Sequence, residues 1–95
     1  MLSRLSFSEN TVTLKTHENT IDIRKYYVED AITLVEKKLD SLSLKGVRCA
    51  YIIHGHGSGR LRAALQDYLK TCPYVNSYKF AESYEGGKGV TIVSL

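Results

Sequence analysis

Residues 51–62 read Tyr-Ile-Ile-His-Gly-His-Gly-Ser-Gly-Arg-Leu-Arg, and this stretch decides the fold. A run rich in β-branched residues ends at His54, three glycines then alternate with other residues, and an amphipathic pattern follows. The pattern predicts a strand, a glycine loop and the N-terminus of a helix. Glycines let the backbone approach a ligand closely, and the free N–H groups of a helix N-terminus attract anions. With His54, Arg60 and Arg62 beside them, these features predict an anion site, and phosphate is the anion that they favour.

Two common nucleotide-binding loops do not fit these residues. The Walker A pattern G-x-x-x-x-G-K-[ST] does not occur in the chain. The dinucleotide pattern G-x-G-x-x-G fails because Arg60 stands where the third glycine belongs. The remaining alternative to a phosphate site is a tight strand-to-helix turn with an exposed histidine.

The 95 residues form one small domain with a formal net charge of +3. The whole surplus falls within residues 46–70, which carry the glycine loop. A focused positive patch is typical of a protein that binds a polyanion. Cys49 and Cys72 form no disulfide framework, so we expect reduced thiols and a cytoplasmic location. The sequence contains no apolar stretch of membrane-spanning length, so no membrane partner is expected.

Hydrophobic periodicity predicts the order βαβαββ. Apolar stripes with helical spacing cover residues 26–44 and 61–69, the first ending before Gly46 and the second having Ser58 as a candidate N-cap. Strands are expected near residues 20–24, 47–53, 75–82 and 89–95. Right-handed crossovers would place both helices on one face of a mixed four-stranded sheet, giving a two-layer α/β sandwich.

The first residues differ from the rest in composition. Residues 1–19 are predicted to be a linker or a partly disordered tail, and residues 20–95 the folded domain. Within the tail, residues 11–15 alternate as a short edge strand would. An extra N-terminal edge strand and a plain linker both stay open.

Three ordered motifs in this chain resemble those of the Smr (small MutS-related) domain family. They are Ile21-Asp22-Ile23-Arg24, Ile53-His54-Gly55-His56-Gly57-Ser58-Gly59 and Glu85-Gly86-Gly87-Lys88-Gly89-Val90-Thr91-Ile92-Val93. The first motif looks like that of the C-terminal Smr domain in the MutS paralogue that does not serve mismatch repair. The resemblance covers about residues 20–95. It implies a longer parent protein with an ATPase region, and a fold similar to the C-terminal domain of translation initiation factor three.

The resemblance implies nucleic-acid cleavage with little sequence specificity. Smr domains nick DNA in some members and cut RNA in others, including messenger RNA on stalled ribosomes. DNA or RNA, and the ribosome, are therefore the expected partners, and a non-catalytic nucleic-acid- or ribosome-binding module is the alternative. The chain departs from the family at Lys25, where Gly is usual, and at His56, where Lys is frequent.

Carried over by position, three residues receive catalytic roles. Asp22 is expected to act as a base or metal ligand, His54 as a general acid or base, and Arg62 as a phosphate clamp. A salt bridge from Asp22 to Arg24, and a hydrogen bond from His54 to the glycine turn, are the structural alternatives. The residues expected to bind nucleic acid are Arg24, Lys25, Gly55, His56, Gly57, Ser58, Gly59, Arg60 and Lys88.

No cofactor is required by these patterns. A divalent cation, Mg²⁺ or Mn²⁺, is the one left open, with Asp22 and the two loop histidines as ligands. Structural zinc is disfavoured because the cysteines show no C-x-x-C pairing. Of the seven tyrosines, those near the motifs are candidates for stacking on bases, and those on apolar stripes belong to the core. The stacking candidates are Tyr26, Tyr27 and Tyr84, and the core candidates are Tyr68 and Tyr78.

Overall fold

The computed structural model describes Thr16 and residues 18–95. Its helices and strands are β1 (Thr20–Asp22), α1 (Val28–Leu44), β2 (Cys49–Ile53), α2 (Arg60–Thr71), β3 (Ser77–Phe80) and β4 (Val90–Ser94). Two short 3-10 turns, Ser83–Glu85 and Gly87–Gly89, connect β3 to β4. The predicted βαβαββ order is confirmed. The edge strand predicted at residues 11–15, and most of the predicted tail, lie outside the described residues.

The strands form one mixed sheet in the order β1-β2-β4-β3. β1 runs parallel to β2, and β4 runs antiparallel to both of its neighbours. Asp22 therefore lies beside Ile53, and Ile53 lies beside Val90. This end of the sheet, which we call the loop end, brings together the segments that follow β1 and β2 and the segment that precedes β4.

Both helices pack on one face of the sheet, as predicted. The buried α1 residues Ala31, Val35, Leu39 and Leu42 recur every three or four positions, so they line one side of the helix. They meet Leu65 and Leu69 of α2 and the inward residues of the strands in one apolar cluster. Each fully buried aliphatic side chain contributes about 1.5–3 kcal/mol to folding. Tyr68 and Tyr78 pack against the same cluster.

Helix α1 ends through hydrogen bonds that only glycine accommodates easily. Gly46 has φ +80°, its N–H donates to the Ser43 carbonyl, and the Val47 N–H donates to the Leu42 carbonyl. These two bonds make a Schellman motif, which turns the chain from α1 towards β2. The stop predicted at Gly46 is therefore confirmed, together with its cause.

Some elements are shorter than predicted because turns occupy their ends. The Tyr26 N–H donates to the Ile23 carbonyl at 3.2 Å, and Tyr27 is extended, so α1 begins at Val28. The Val75 N–H donates to the Cys72 carbonyl at 3.2 Å, so β3 begins at Ser77. Both cysteines are buried, and no disulfide joins them. Neither described helix is long and apolar enough to cross a bilayer.

Replacing Gly86 with alanine should destabilise the domain more than replacing Gly46. Both glycines have positive φ, but an added Cβ at Gly86 would lie 2.5 Å from Val90 Cγ2, whereas Gly46 faces open space. Gly46→Ala should therefore cost about 1–2 kcal/mol from the backbone alone. Gly86→Ala should cost about 1–3 kcal/mol more from overpacking. Urea unfolding of both variants measures the difference in the free energy of unfolding. Equal losses of stability would show that the Val90 side chain moves aside without an energetic cost.

Candidate functional site

A cleft of about 490 Å³ opens at the loop end of the sheet. Its walls are residues 26–28, residues 54–62 and the side chain of Arg24. Residues 26–28 lead into α1, and residues 54–62 contain the glycine loop and the start of α2. The first two sequence motifs thus meet in one concave site.

The carbonyl oxygen of Gly89 fixes the start of the glycine loop. It accepts the N–H of His54 at 3.1 Å and the N–H of Gly55 at 2.9 Å. The His56 ring lies against the same residue, because an added Cβ at Gly89 would lie 2.7 Å from His56 Nε2. Gly89 of the third motif therefore fixes the backbone of the second motif and packs against its His56 ring.

His54 lies at the inner wall of the cleft and is only 5% exposed. Its Nδ1 is 3.1 Å from the Gly55 carbonyl, which can only accept, so Nδ1 carries the proton. Its Nε2 is 2.8 Å from the Thr91 hydroxyl, which donates to the neutral ring. Burial lowers the pKa of the imidazole below its ordinary value, and positive charge from Arg62 and His56 lowers it further. His54 is consequently a neutral, doubly hydrogen-bonded imidazole at pH 7.

Asp22 and Arg24 form a two-pronged ion pair. Arg24 Nη2 donates to Asp22 Oδ2 at 2.6 Å, and Arg24 Nε donates to Oδ1 at 2.9 Å. The Arg24 backbone N–H donates to Oδ1 as well, at 3.1 Å. The hydrogen bonds from Arg24 lower the pKa of the Asp22 carboxyl to about 2. Asp22 therefore stays ionised and holds the guanidinium in one orientation.

The absence of side chains on the loop glycines lets two arginines lie over it. A Cβ at Gly55 would meet Arg24 Cγ at 3.3 Å, and a Cβ at Gly59 would meet Arg62 Nη2 at 3.0 Å. Arg62 Cζ also lies 5.9 Å from the centre of the Phe80 ring, a cation–π distance. Gly55 and Gly59 thus leave room for the two arginine side chains, in addition to allowing the backbone to turn.

Both helices present N-termini without side-chain caps to the cleft. The N-cap of α1 is Tyr27 and that of α2 is Gly59, and neither makes a side-chain cap hydrogen bond. Ser58, the predicted N-cap, lies one residue earlier, and its hydroxyl accepts the Arg60 N–H at 3.3 Å. The other N–H groups of the two first turns and the positive ends of two helix dipoles therefore face one site, which is an arrangement that binds anions.

The cleft collects most, but not all, of the predicted site residues. Arg24, His54, Arg62 and the whole loop from Gly55 to Arg60 line it. Asp22 reaches the cleft only through Arg24, while Lys25 and Lys88 are exposed outside the lining. The sequence reasoning missed Thr91 and Phe80 as supports of the site. A threonine within the apolar run of residues 90–93 is the sequence signal that marks Thr91, and the structure buries it fully.

The charge surplus of residues 46–70 is not all at the cleft. Arg48 lies at the opposite end of β2, where its carbonyl accepts the Leu95 N–H at 2.8 Å. Lys70 lies in the last turn of α2 beside Asp67, at 3.9 Å. Only Arg60 and Arg62 of that group line the cleft, and Arg24 joins them from the first motif.

The described residues offer a poor donor set for a metal ion. No group of three or more His, Cys, Asp or Glu side chains among them lies close enough to hold one. Both Asp22 oxygens accept hydrogen bonds from Arg24, and both His54 ring nitrogens have partners. We therefore assign no step to a metal at this cleft.

Comparison with known proteins gives a consistent result. A model of the Smr domain family matches residues 21–95. The protein named Endonuclease MutS2 in Anaeromyxobacter sp. is 42% identical over 78 residues, which are 82% of this chain and 10% of that protein. The chain thus spans about a tenth of the length of this relative.

Two solved structures share the fold. The crystal structure of the Smr domain of Thermus thermophilus MutS2 superposes with a TM-score of 0.79 at 34% identity, covering 81% of this chain and 96% of that chain. YdaL of Escherichia coli, a stand-alone small MutS-related protein, superposes with a TM-score of 0.81 at 22% identity. That alignment covers 90% of this chain and 70% of YdaL, and it supports the fold alone.

His54 should make the folded domain lose stability in mild acid. Burial lowers the pKa of His54 in the folded state. Below about pH 6.5 the histidine is therefore protonated more readily in the unfolded chain than in the folded domain, which favours unfolding. Stability should therefore fall as the pH decreases from about 7.5 to about 5.5. His54→Gln should flatten this dependence in urea unfolding, and the exposed His56→Gln should retain it. Equal slopes for His54→Gln and the wild type would remove His54 as the cause.

Proposed function

Because this chain belongs to the Smr domain family, we propose that it is an endonuclease domain that cleaves phosphodiester bonds in DNA or RNA. We further propose that it works as part of a larger MutS2-like protein. A relative that it matches carries the name endonuclease. Recognition would be largely independent of base sequence, because the groups at the cleft suit phosphates rather than base edges.

The observation that carries this proposal is the convergence of positive groups on one cleft. Arg24, Arg60 and Arg62 line it together with the N-termini of both helices. Backbone amides and fixed arginine charges are the groups with which proteins hold phosphate oxygens. A nucleic-acid backbone is the polyanion that would place several phosphates along such a surface.

Cleavage requires a base for the nucleophile and positive charge for the phosphorane oxygens. His54 would supply the base, since burial keeps its imidazole neutral at pH 7. Its Nε2 would exchange the Thr91 hydroxyl for the nucleophile, which is water on DNA or the neighbouring 2′-hydroxyl on RNA. Arg62 would stabilise the phosphorane charge, and Arg24 would hold a phosphate while Asp22 orients the guanidinium. The P–O bond to the leaving oxygen would then break, and that oxygen would take up a proton from water.

One observation favours a second candidate, a nucleic-acid- or ribosome-binding module without catalysis. The oxygens of Asp22 and the ring nitrogens of His54 already have protein partners, as structural residues do. In that case the same cleft would bind phosphates and cleave nothing. Binding and cleavage must therefore be measured separately.

Removing two cleft arginines should weaken binding and reduce its salt dependence. Each phosphate contact contributes about 0.7–0.9 to the slope of log K against log salt. Arg60→Ala with Arg62→Ala should therefore lower the slope by roughly 1–2. Arg48→Ala with Lys70→Ala removes the same charge away from the cleft and should change the slope little. Fluorescence anisotropy over a salt series measures the slope for both double variants. Equal effects of the two would mean that binding depends on the net charge of the domain and not on the cleft.

His54→Gln should reduce cleavage by about 10²–10⁴-fold while binding changes only a few-fold. The measurement uses supercoiled plasmid and single-stranded RNA, beside a binding titration and a thermal unfolding control near neutral pH. Asp22→Asn should also reduce cleavage, because it removes the carboxylate charge that orients Arg24.

Two further arms separate the alternatives. EDTA tests whether Mg²⁺ or Mn²⁺, which the sequence left open, takes part, since cleavage that survives EDTA excludes that requirement. Binding without cleavage by the wild-type protein, with and without added cation, would favour the non-catalytic module.

A further inference from the structure

We propose that the cleft accepts an unpaired nucleotide whose base stacks on Tyr27, so that the domain prefers single-stranded nucleic acid to duplex. The inference rests on the proposed function for the cleft itself, and it adds the class of substrate. The phosphate lies at the glycine loop and the start of α2, and the base lies against the wall formed by residues 26–28.

The Tyr27 side chain is exposed in a way that packing does not explain. It is 85% exposed, although it lines a cleft, and its neighbour Tyr26 is 47% exposed. Among the described residues, the Tyr27 side chain has no hydrogen-bond partner and no ring contact. A large aromatic side chain left in water at the border of a concave site is a feature of ligand-binding surfaces.

The backbone gives no reason for an aromatic residue at this position either. Tyr27 is the N-cap of α1, with φ −66° and ψ 156°, a conformation open to any residue. Serine, threonine, aspartate or asparagine would stabilise the helix here by capping a free N–H, and tyrosine makes no such bond. Residue 27 is therefore not optimal for the helix, which fits selection for contact with a ligand.

The partner of such a ring is identified by the groups beside it. Arg24, Arg60 and Arg62 line the same cleft and supply sites for phosphate, and the aromatic wall supplies a flat apolar surface. A nucleotide carries both parts, an anionic phosphate and a planar base. The cleft volume of about 490 Å³ lies in the range of pockets that hold small ligands.

Stacking on Tyr27 selects for single strands. In a duplex the faces of each internal base are covered by its neighbours, so a protein ring reaches them only where a base is unpaired. Stacking tolerates any base because every base has an aromatic face. The domain should therefore prefer single strands to duplex, whatever their base sequence.

The test compares three variants of the 95-residue chain. The ligands are a single-stranded oligothymidine with non-cleavable phosphorothioate linkages, the same backbone with abasic sites, and a duplex. Tyr27→Ala should weaken binding of the single strand by about tenfold or more, and should leave the abasic strand and the duplex unchanged. Tyr27→Phe keeps the ring and should retain single-strand affinity.

Tyr84→Ala is the matched control. The sequence also suggested Tyr84 as a stacking residue, and it is 84% exposed, much as Tyr27 is at 85%. It belongs to the turn Ser83–Glu85 and does not line the cleft, so the structure separates it from the proposed site. Its replacement should leave all three affinities unchanged. The chain has no tryptophan, so quenching of tyrosine fluorescence by the single strand, lost in Tyr27→Ala alone, gives a second readout.

Failure of this inference is distinguishable from failure of the proposed function. Unchanged single-strand affinity in Tyr27→Ala would overturn the stacking, and so would equal weakening on all three ligands. In either case, weaker binding by the Arg60→Ala, Arg62→Ala protein would leave the phosphate cleft in place. Tighter binding of the duplex than of the single strand by the wild-type protein would overturn the preference directly.

Discussion

The candidate site depends on one backbone oxygen, the carbonyl of Gly89, which accepts the N–H groups of both His54 and Gly55. These two bonds carry the pairing of β2 with β4 one step past the end of the strands, so the glycine loop leaves the sheet at a fixed point. His56 lies over the same glycine, where any side chain would meet its ring. The second and third motifs are therefore parts of one structure, although about thirty residues separate them in the chain.

The pair formed by Asp22 and Arg24 acts through geometry more than through stability. Both side chains are about half exposed, at 47% and 57%, and exposed ion pairs contribute only about 0–1 kcal/mol. Their two parallel hydrogen bonds nevertheless fix the plane of the guanidinium. The low pKa of Asp22 has the same origin, because the carboxylate is held ionised by Arg24. The Asp22 carboxylate thus holds Arg24 in one orientation for binding, but it also neutralises part of the positive charge of Arg24.

Sequence periodicity was sufficient for the helices, the order of the elements and the α/β class, because those follow from local patterns such as the α1 stripe and the stop at Gly46. It could not give the strand order, which depends on β4 inserting between β2 and β3. Counting charge along the chain grouped Arg48 with the loop, whereas the direction of β2 places it at the far end of the sheet. Thr91 and Phe80 were missed for the same reason, since Thr91 meets His54 only across neighbouring strands and Phe80 meets Arg62 only where α2 packs on the sheet.

The cleft shows how the fold keeps positive charge available for a ligand. A carboxylate cap at residue 27 would stabilise α1 by about 0.5–2 kcal/mol, but it would also place a negative charge beside the proposed phosphate site. At residue 59 the φ of +85° favours glycine over any capping side chain. Tyr27 and Gly59 avoid that neutralisation, and the Glu29 and Asp30 side chains of the first α1 turn lie outside the cleft lining. Glu29 and Asp30 therefore offset part of the α1 dipole, whereas the first turn of α2 carries no acidic residue beside the arginines that line the cleft. Because Tyr27 does not cap the helix, α1 is less stable than it would be with a carboxylate cap, but its N-terminus stays open to an anion.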